Sequence, residues 1–350
     1  MANNTIIGWD IGGAHLKAAA VNPAGQLLGV YQQPCPLWQG LPYLQQAVAK
    51  VLAEAVYDQP LHALTMTGEL VDLFADRDDG VRQILATMQA LLGHHPLWVF
   101  AGLRGFIPLA EVGPADYPAI ASANWLASAV FTAQQVGEGL FVDIGSTTTD
   151  ILLLNQGRVH TQAFTDYQRL ISKELVYTGI IRTAVMAVAQ TAIDQGQEIG
   201  LMAEYFATMA DVYRVTLELD EAHDQTATAD GAEKTVLASA RRLSRLLGSD
   251  FYPEQLPRWR QFAEQIRAQQ LQKIRLACVE RLKTAPIAAD SPIIGAGVGR
   301  FLVQELATEW GRPYVDFTGL LPTSPEQKGL AAADCAPAVA VAYLAKTAGY

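Results

Sequence analysis

Gly139-Leu-Phe-Val-Asp143-Ile-Gly145-Ser-Thr-Thr-Thr149-Asp150-Ile-Leu-Leu-Leu154 is two apolar runs joined by a short turn of small hydroxyl residues. Leu140 to Ile144 reads as a strand, Gly145 to Thr148 as the turn, and Thr149 to Leu154 as a strand running back. Such a hairpin can hold phosphate. Gly145 lets backbone approach a ligand, the successive N–H groups and the hydroxyls of Ser146, Thr147 and Thr148 can donate to phosphate oxygens, and Asp143 at the strand end can hold a hydrated Mg²⁺. On this stretch alone, an ordinary polar hairpin turn would look the same.

The chain contains a second copy. Ile6-Ile-Gly-Trp-Asp10-Ile-Gly12-Gly13-Ala-His15-Leu-Lys17-Ala-Ala-Ala-Val21 is again a strand, an Asp-Ile-Gly turn and a returning strand, with Asp10 matching Asp143 and Gly12 matching Gly145. Farther on, Ser291-Pro-Ile-Ile-Gly295-Ala-Gly297-Val-Gly299 is a strand entering a glycine turn, followed by a helical run from Arg300 to Trp310. Any α/β protein can carry a strand, glycines and a helix. In this order and spacing, however, the three motifs resemble the two phosphate motifs and the nucleoside-side glycine motif of the superfamily that contains actin, sugar kinases and heat-shock ATPases. The fold this resemblance implies is an α/β, actin-like (ribonuclease H-like) pair of subdomains. The two Asp-Ile-Gly hairpins are then expected to face one cleft.

The composition allows a large core and excludes several classes. The chain has 350 residues, half of them apolar and 17% charged, which suits a globular protein of about two domains. It carries 35 carboxylates against 25 Lys plus Arg and no basic run, so nucleic-acid binding has no electrostatic support. In so acidic a chain, a phosphorylated ligand needs a local cation, which draws attention to Lys17 and to a divalent ion. Cys35, Cys278 and Cys335 are far apart and follow no CxxC pattern, as expected of reduced thiols in a cytoplasmic protein. No signal peptide is visible, and no apolar run reaches the roughly 20 residues that span a bilayer, so no membrane partner is expected. A homo-oligomer is left open.

Read in order, the pattern predicts strands at Gln26–Tyr31, Leu61–Met66 and Leu97–Ala101, with helices at Tyr43–Tyr57, Val81–Leu92 and from Ala119 to about Gln134. After the central hairpin come a strand from Arg158 to Phe164 and a helical insertion over about 172–283. Its last helix shows an apolar stripe from Leu256 through Trp259, Phe262, Ile266, Leu271, Ile274 and Cys278 to Leu282, with its Arg and Lys residues mainly on a solvated face. Strands follow at Pro292–Gly295 and Tyr314–Phe317, then an Ala-rich helix at Ala336–Ala348. The domains expected are 1–135, joined by the helix in 336–350, and 136–335, which includes the insertion.

Several segments narrow the resemblance. Asp10-Ile-Gly-Gly-Ala-His-Leu-Lys17, Thr65-Met-Thr-Gly-Glu-Leu70, Ala123-Asn-Trp125, Asp143 to Asp150, Glu174-Leu-Val-Tyr-Thr-Gly179, Asp211-Val-Tyr-Arg214 and Thr228-Ala-Asp-Gly231 resemble a hydantoinase A/oxoprolinase-related family. Its members accompany tetrahydromethanopterin-linked one-carbon metabolism. The methanogen members are similar to the synthase that makes the furan–phenol ether of methanofuran, and bacterial methylofuran is the related product. The resemblance implies a transferase with a small-molecule diphosphate donor and a phenol acceptor. A furfuryl diphosphate would lose pyrophosphate to the phenol oxygen of a γ-glutamyl-tyramine unit, with Mg²⁺ as cofactor and no ATP consumed.

The residues expected to carry this chemistry each have a plainer reading. Asp10 and Asp143 would organise the metal, or cap turns. Lys17 would reach a phosphate, or be an ordinary strand lysine, and His15 would donate to phosphate from the same turn. Glu69 would accept the phenol proton, or cap the helix after it, with the nearby Asp72 a weaker substitute. Asp150 would be a further metal-side carboxylate, or a polar strand residue. Gly12, Gly13, Gly145, Ser146, Thr147 and Thr148 would cradle phosphate, and Gly295, Gly297 and Gly299 would face adenosine or another organic group. Tyr177, Arg182 and Asp230 lie in family-like segments and would contact the acceptor. The same motifs would serve an ATP-dependent small-molecule kinase, a hydantoinase-like amide hydrolase, or a nucleotide-sensing protein without catalysis.

Overall fold

The computed structural model describes residues 4–285 and 287–349. Its first half runs β1 (Ile6–Ile11), β2 (His15–Val21), β3 (Leu27–Pro34), α1 (Leu41–Glu54), β4 (Leu61–Met66), α2 (Arg77–Leu92), β5 (Leu97–Phe100), β6 (Phe106–Pro108), α3 (Tyr117–Ile120) and α4 (Asn124–Val136). The central hairpin follows as β7 (Gly139–Ile144) and β8 (Thr149–Asn155), then β9 (Arg158–His160), α5 (Asp166–Ser172), β10 (Leu175–Val176), β11 (Thr191–Asp194), β12 (Gln197–Gly200), α6 (Met209–Val215), α7 (Val236–Arg245) and α8 (Leu256–Leu282). The chain closes with β13 (Ile293–Ala296), α9 (Arg300–Glu309), β14 (Tyr314–Asp316), β15 (Thr323–Gly329) and α10 (Ala336–Thr347).

The differences from the sequence pattern have local causes. Helix α2 starts before Val81 because Asp76 caps it, its carboxylate accepting from Asp79 N–H at 2.8 Å, and an apolar periodicity does not register that polar first turn. The single helix expected over Ala119–Gln134 is two, divided at Ser122, whose φ of 51° is left-handed. The strand expected at Arg158–Phe164 ends at His160. The insertion is mainly helical but includes the two-stranded ribbon β11–β12.

The chain forms two compact units, one of residues 1–141, 154–161 and 315–350 and the other of 142–153 and 162–314. The sequence reading placed these changes near 135 and 336. Residues 1–3 and 350, where its outer bounds fall, lie outside the described residues.

The first unit is built on a seven-stranded sheet in the order β15-β3-β2-β1-β4-β5-β6. β1, antiparallel to β2 and parallel to β4, lies at the centre and is buried along its whole length. Ile7, Trp9, Ile11, Leu16, Leu64, Met66 and Val99 form its core with the apolar stripes of α1 and α2. Helix α10, buried from Ala336 to Ala345, packs on β1. Gly8 permits that approach: a Cβ there would lie 2.0 Å from the Ala338 carbonyl oxygen.

Trp9 Nε1 donates to His62 Nδ1 at 3.1 Å in this core. Burial, with His95 and His94 close by, pushes the His62 imidazole down to about 3. In the unfolded chain it takes a proton near 6.5, so between these values only the unfolded state binds that proton. The stability this group contributes is complete above pH about 6.5 and is lost as pH falls, at up to about 1.4 kcal/mol per pH unit. Denaturant midpoints measured from pH 7 to 4.5 are expected to fall less steeply in His62→Gln than in the parent. Equal slopes would refute the assignment.

The second sheet runs β10-β8-β7-β13-β14, with β9 paired to β8. Its order matches β3-β2-β1-β4-β5 of the first, so the two hairpins occupy equivalent central places. The fold is therefore α/β and actin-like, with two mixed sheets. In the second unit the expected stripe of α8 is buried from Trp259 to Cys278, and two polar residues of the helix are buried with it. Gln270 and Arg281 face inward, Arg281 pairing with buried Glu174 at 2.9 Å. All three cysteines are buried, and burial pushes the thiols of Cys35 and Cys278 up to about 12. Among the described residues no helix is long and apolar enough to cross a membrane.

Candidate active site

The two hairpins turn in the same way. Gly12 N–H donates to the His15 carbonyl at 3.0 Å, and Gly145 N–H donates to the Thr148 carbonyl at 2.9 Å. At the strand ends, the Ile11 carbonyl accepts from Thr67 N–H at 3.0 Å, and the Ile144 carbonyl accepts from Gly299 N–H at 2.8 Å. The residues after β4 therefore support the first turn as the glycine turn after β13 supports the second. Residues 12–14 and 145–148 are half-buried, which leaves their polar groups within reach of a ligand.

In the first unit Asp10, only 4% exposed, pairs in register with Lys17 on one side and Thr65 on the other. Paired residues project on one face, so all three side chains share it. This places Lys17 beside Asp10, half-buried, rather than on an open strand surface. Thr65 Oγ1 is buried without a hydrogen-bond partner among the described residues. Asn124, the first residue of α4, donates to Asp10 from Nδ2 at 3.3 Å and accepts from Trp125 N–H at 2.7 Å. Two residues earlier, Ser122 donates to Glu69 Oε1 at 2.6 Å.

Glu69 is 1% exposed, and its carboxylate is not the cap of α2, a place that Asp76 takes. The left-handed turn at Ser122 thus lets one short segment reach both Glu69 and Asp10, and non-glycine residues in that conformation cluster at functional sites. The sequence reading quoted Ala123-Asn-Trp125 and Thr65 only within family-like segments and gave Asn124, Ser122 and Thr65 no role. Asn124 and Thr65 are signalled only by those segments, and Ser122, one residue outside them, by none. His15 opens β2 and is buried, while Asp72 is exposed.

In the second unit Asp143, 9% exposed, lies against the glycine turn. A Cβ on Gly297, where φ is 77°, would stand 2.4 Å from Asp143 Oδ1 and 2.2 Å from the Ile144 carbonyl oxygen. Gly299 packs on the Ile144 side chain, and Gly295 packs on the Tyr314 ring. Glycine is thus required here for close packing on the Asp-Ile-Gly turn. Arg300 Nη1 donates back to the Gly297 carbonyl at 3.0 Å.

The structure gives the remaining candidates other surroundings. Asp150 forms a 2.6 Å ion pair with buried Arg169. Asp230 is held by Arg242 at 3.0 Å, in a buried network where Arg242 and Ser239 also donate to Asp211 and Arg214 pairs with Asp224. Tyr177 is 65% exposed. Among the described residues, no group of three or more His, Cys, Asp or Glu side chains is gathered that could hold a metal.

The sequence profile of the hydantoinase/oxoprolinase family matches residues 61–338, most of the chain. The chain belongs to that family. It is 31% identical over 246 residues to the (4-{4-[2-(gamma-L-glutamylamino)ethyl]phenoxymethyl}furan-2-yl)methanamine synthase of Methanocaldococcus jannaschii, covering 70% of this chain and 72% of that one. A synthase of the same name from Methanococcus vannielii is 32% identical over 123 residues, 35% of this chain and 55% of the relative. Among solved structures, nucleotide-free acetone carboxylase superposes with a TM-score of 0.63 at 10% identity, over 97% of this chain and 70% of that one. That likeness concerns the fold alone.

Proposed function

We propose that this hydantoinase/oxoprolinase family member is a transferase of methanofuran or methylofuran biosynthesis. It joins an aminomethyl-furfuryl diphosphate to the phenol oxygen of a γ-glutamyl-tyramine unit and releases pyrophosphate. The observation that carries this reading is the 31% identity, over 70% of the chain, to a synthase whose name describes a γ-glutamylaminoethyl-phenoxymethyl-furan. Two phosphate-type hairpins with the same turn hydrogen bond support it, since the reaction needs a diphosphate held and released.

In this reaction the bond between the furfuryl carbon and the diphosphate oxygen breaks, and its electron pair leaves with the diphosphate. The phenol oxygen supplies the pair for the new ether bond, and its proton passes to a base. The electron-rich furan ring spreads positive charge from the carbon, so the barrier lies mainly in the departing diphosphate. Stabilising that group is work for preorganised donors, which in the second hairpin are the N–H groups of residues 146–148 and the hydroxyls of Ser146, Thr147 and Thr148; the first hairpin offers the ammonium of Lys17 to a phosphate of its own. Glu69, positioned by Ser122, is the carboxylate assigned to the phenol proton.

Magnesium fits these residues. The ion commonly takes one or two carboxylates and completes its shell with phosphate oxygens and water, so it does not need a three-residue cluster. Gly297 keeps a side chain away from Asp143 Oδ1, and Asp10 has the same place in its own hairpin. Bound at Asp143, the ion would offset the charge of a leaving diphosphate held by the second hairpin. Asp150, already paired to Arg169, is the weakest of the assigned metal carboxylates.

The purified chain, given the furfuryl diphosphate, a tyramine-type phenol and Mg²⁺, is expected to release pyrophosphate and form the ether with no nucleotide present. The family description, hydantoinase/oxoprolinase, leaves a rival class open: an ATP-dependent amide hydrolase or a kinase would use the same hairpins. Either would give ADP and show no turnover until ATP is added. Strict ATP dependence with stoichiometric ADP would replace the transferase reading.

A further inference from the structure

We infer that Arg182 is a binding residue for the anionic end of the donor, held over the second hairpin by the insertion. The inference rests on the diphosphate-transfer reading given above. After β10 the chain folds back onto the turn of the hairpin and is fastened to it. Ile180 N–H donates to the Gly145 carbonyl at 3.0 Å, and Ile181 and Arg182 N–H both donate to the Ser146 carbonyl, at 3.1 and 2.9 Å. Gly179 allows this contact, because a Cβ there would lie 2.4 Å from Thr147 N and 2.5 Å from the Ser146 carbonyl carbon. The exposed Arg182 side chain then reaches over the turn, its Nη1 donating to Thr147 Oγ1 at 3.3 Å.

A guanidinium here adds what the turn lacks. The turn offers neutral N–H and hydroxyl donors, and the chain around it has a net charge of −10. A planar cation with several parallel N–H donors matches a phosphate group in both charge and geometry. The bond to Thr147 is long and solvent-exposed, so it contributes little to stability, and the exposed guanidinium keeps N–H donors on the same side of the turn as the Thr147 hydroxyl.

The segment is fixed from behind by a buried polar chain. Tyr213 donates to Gln270 Oε1 at 2.6 Å, and Gln270 Nε2 donates to Thr178 Oγ1 at 2.7 Å and to the Gly179 carbonyl at 2.9 Å. Thr149, the first residue of the returning strand, donates to the Thr178 carbonyl at 2.8 Å. Tyr213, Gln270, Thr178 and Thr149 are all fully buried. This explains why α8 carries a glutamine in its apolar stripe: Gln270 is a positioning residue for the Arg182 segment.

The test is calorimetric titration of the whole chain with pyrophosphate, with and without Mg²⁺, after circular dichroism has shown each variant folded. Arg182→Ala is expected to weaken binding about 10–100-fold. Arg182→Lys should recover part of the loss, since it restores the charge without the fork, and Arg158→Ala, which removes an exposed arginine of β9, should bind as the parent does. Parent-like binding by Arg182→Ala would overturn the inference while leaving the diphosphate reading standing. A parent chain that fails to bind pyrophosphate under either condition would overturn both.

Discussion

Asp143→Asn is expected to lower the rate of ether formation by about 10³-fold or more, because metal-assisted charge neutralisation supplies several kcal/mol and each 1.36 kcal/mol is a tenfold change in rate. The substitution keeps the volume of the side chain and leaves Gly297 and Gly299 packed against Asp143 and Ile144. Circular dichroism and the denaturation midpoint should therefore remain close to those of the parent. Asp10→Asn should behave similarly, since Asp10 has the same place in its hairpin and also receives Asn124. Glu69→Gln should cost less, about 10²-fold, at the lower end of general-base effects, because a well-stabilised cation depends only partly on the proton of its nucleophile. Full activity in either aspartate variant, measured with saturating Mg²⁺, would remove the metal-diphosphate assignment.

Gly8→Ala is expected to destabilise the first unit by about 3 kcal/mol or more, the upper range for overpacking where neighbours cannot yield. Here the neighbours are backbone. The added Cβ would lie 2.0 Å from the Ala338 carbonyl oxygen and 2.8 Å from Ala342 N, so either α10 moves off β1 or the strand bends. Urea unfolding followed by tryptophan fluorescence would report it, because Trp9 is the next residue on β1 and is fully buried. A midpoint within experimental error of the parent would show that helix and strand are not held in this contact.

The parts of the fold that were legible in the sequence are those fixed by short-range pattern. Asp10-Ile-Gly and Asp143-Ile-Gly stand out because a tight turn and a strand-end carboxylate need particular residues in a particular order. Leu61–Met66 was bounded correctly because it is a continuous apolar run between turns. The parts that were not legible depend on distant partners. Ser122 breaks a helical pattern through a bond to Glu69, fifty-three residues away, and nothing near Ser122 signals that bond. Gln270 stands beside the apolar stripe of α8 with no local mark, because its partners Thr178 and Tyr213 come from distant segments. Asp150 matched a metal ligand by its place in the hairpin, but Arg169 engages its carboxylate, and hairpin position alone gives no sign of that pair.

The β1–α10 contact also bears on how the protein is made. The central strand of the first sheet is synthesised well before the helix that covers it, which is encoded more than three hundred residues later. Translation at roughly 5–20 residues per second separates the two by tens of seconds. The second unit, made of 142–153 and 162–314, can meanwhile close on itself. The nascent chain is therefore expected to mature from its middle outward, with the apolar face of β1 awaiting its cover and open to chaperones until the ribosome has passed Ala336.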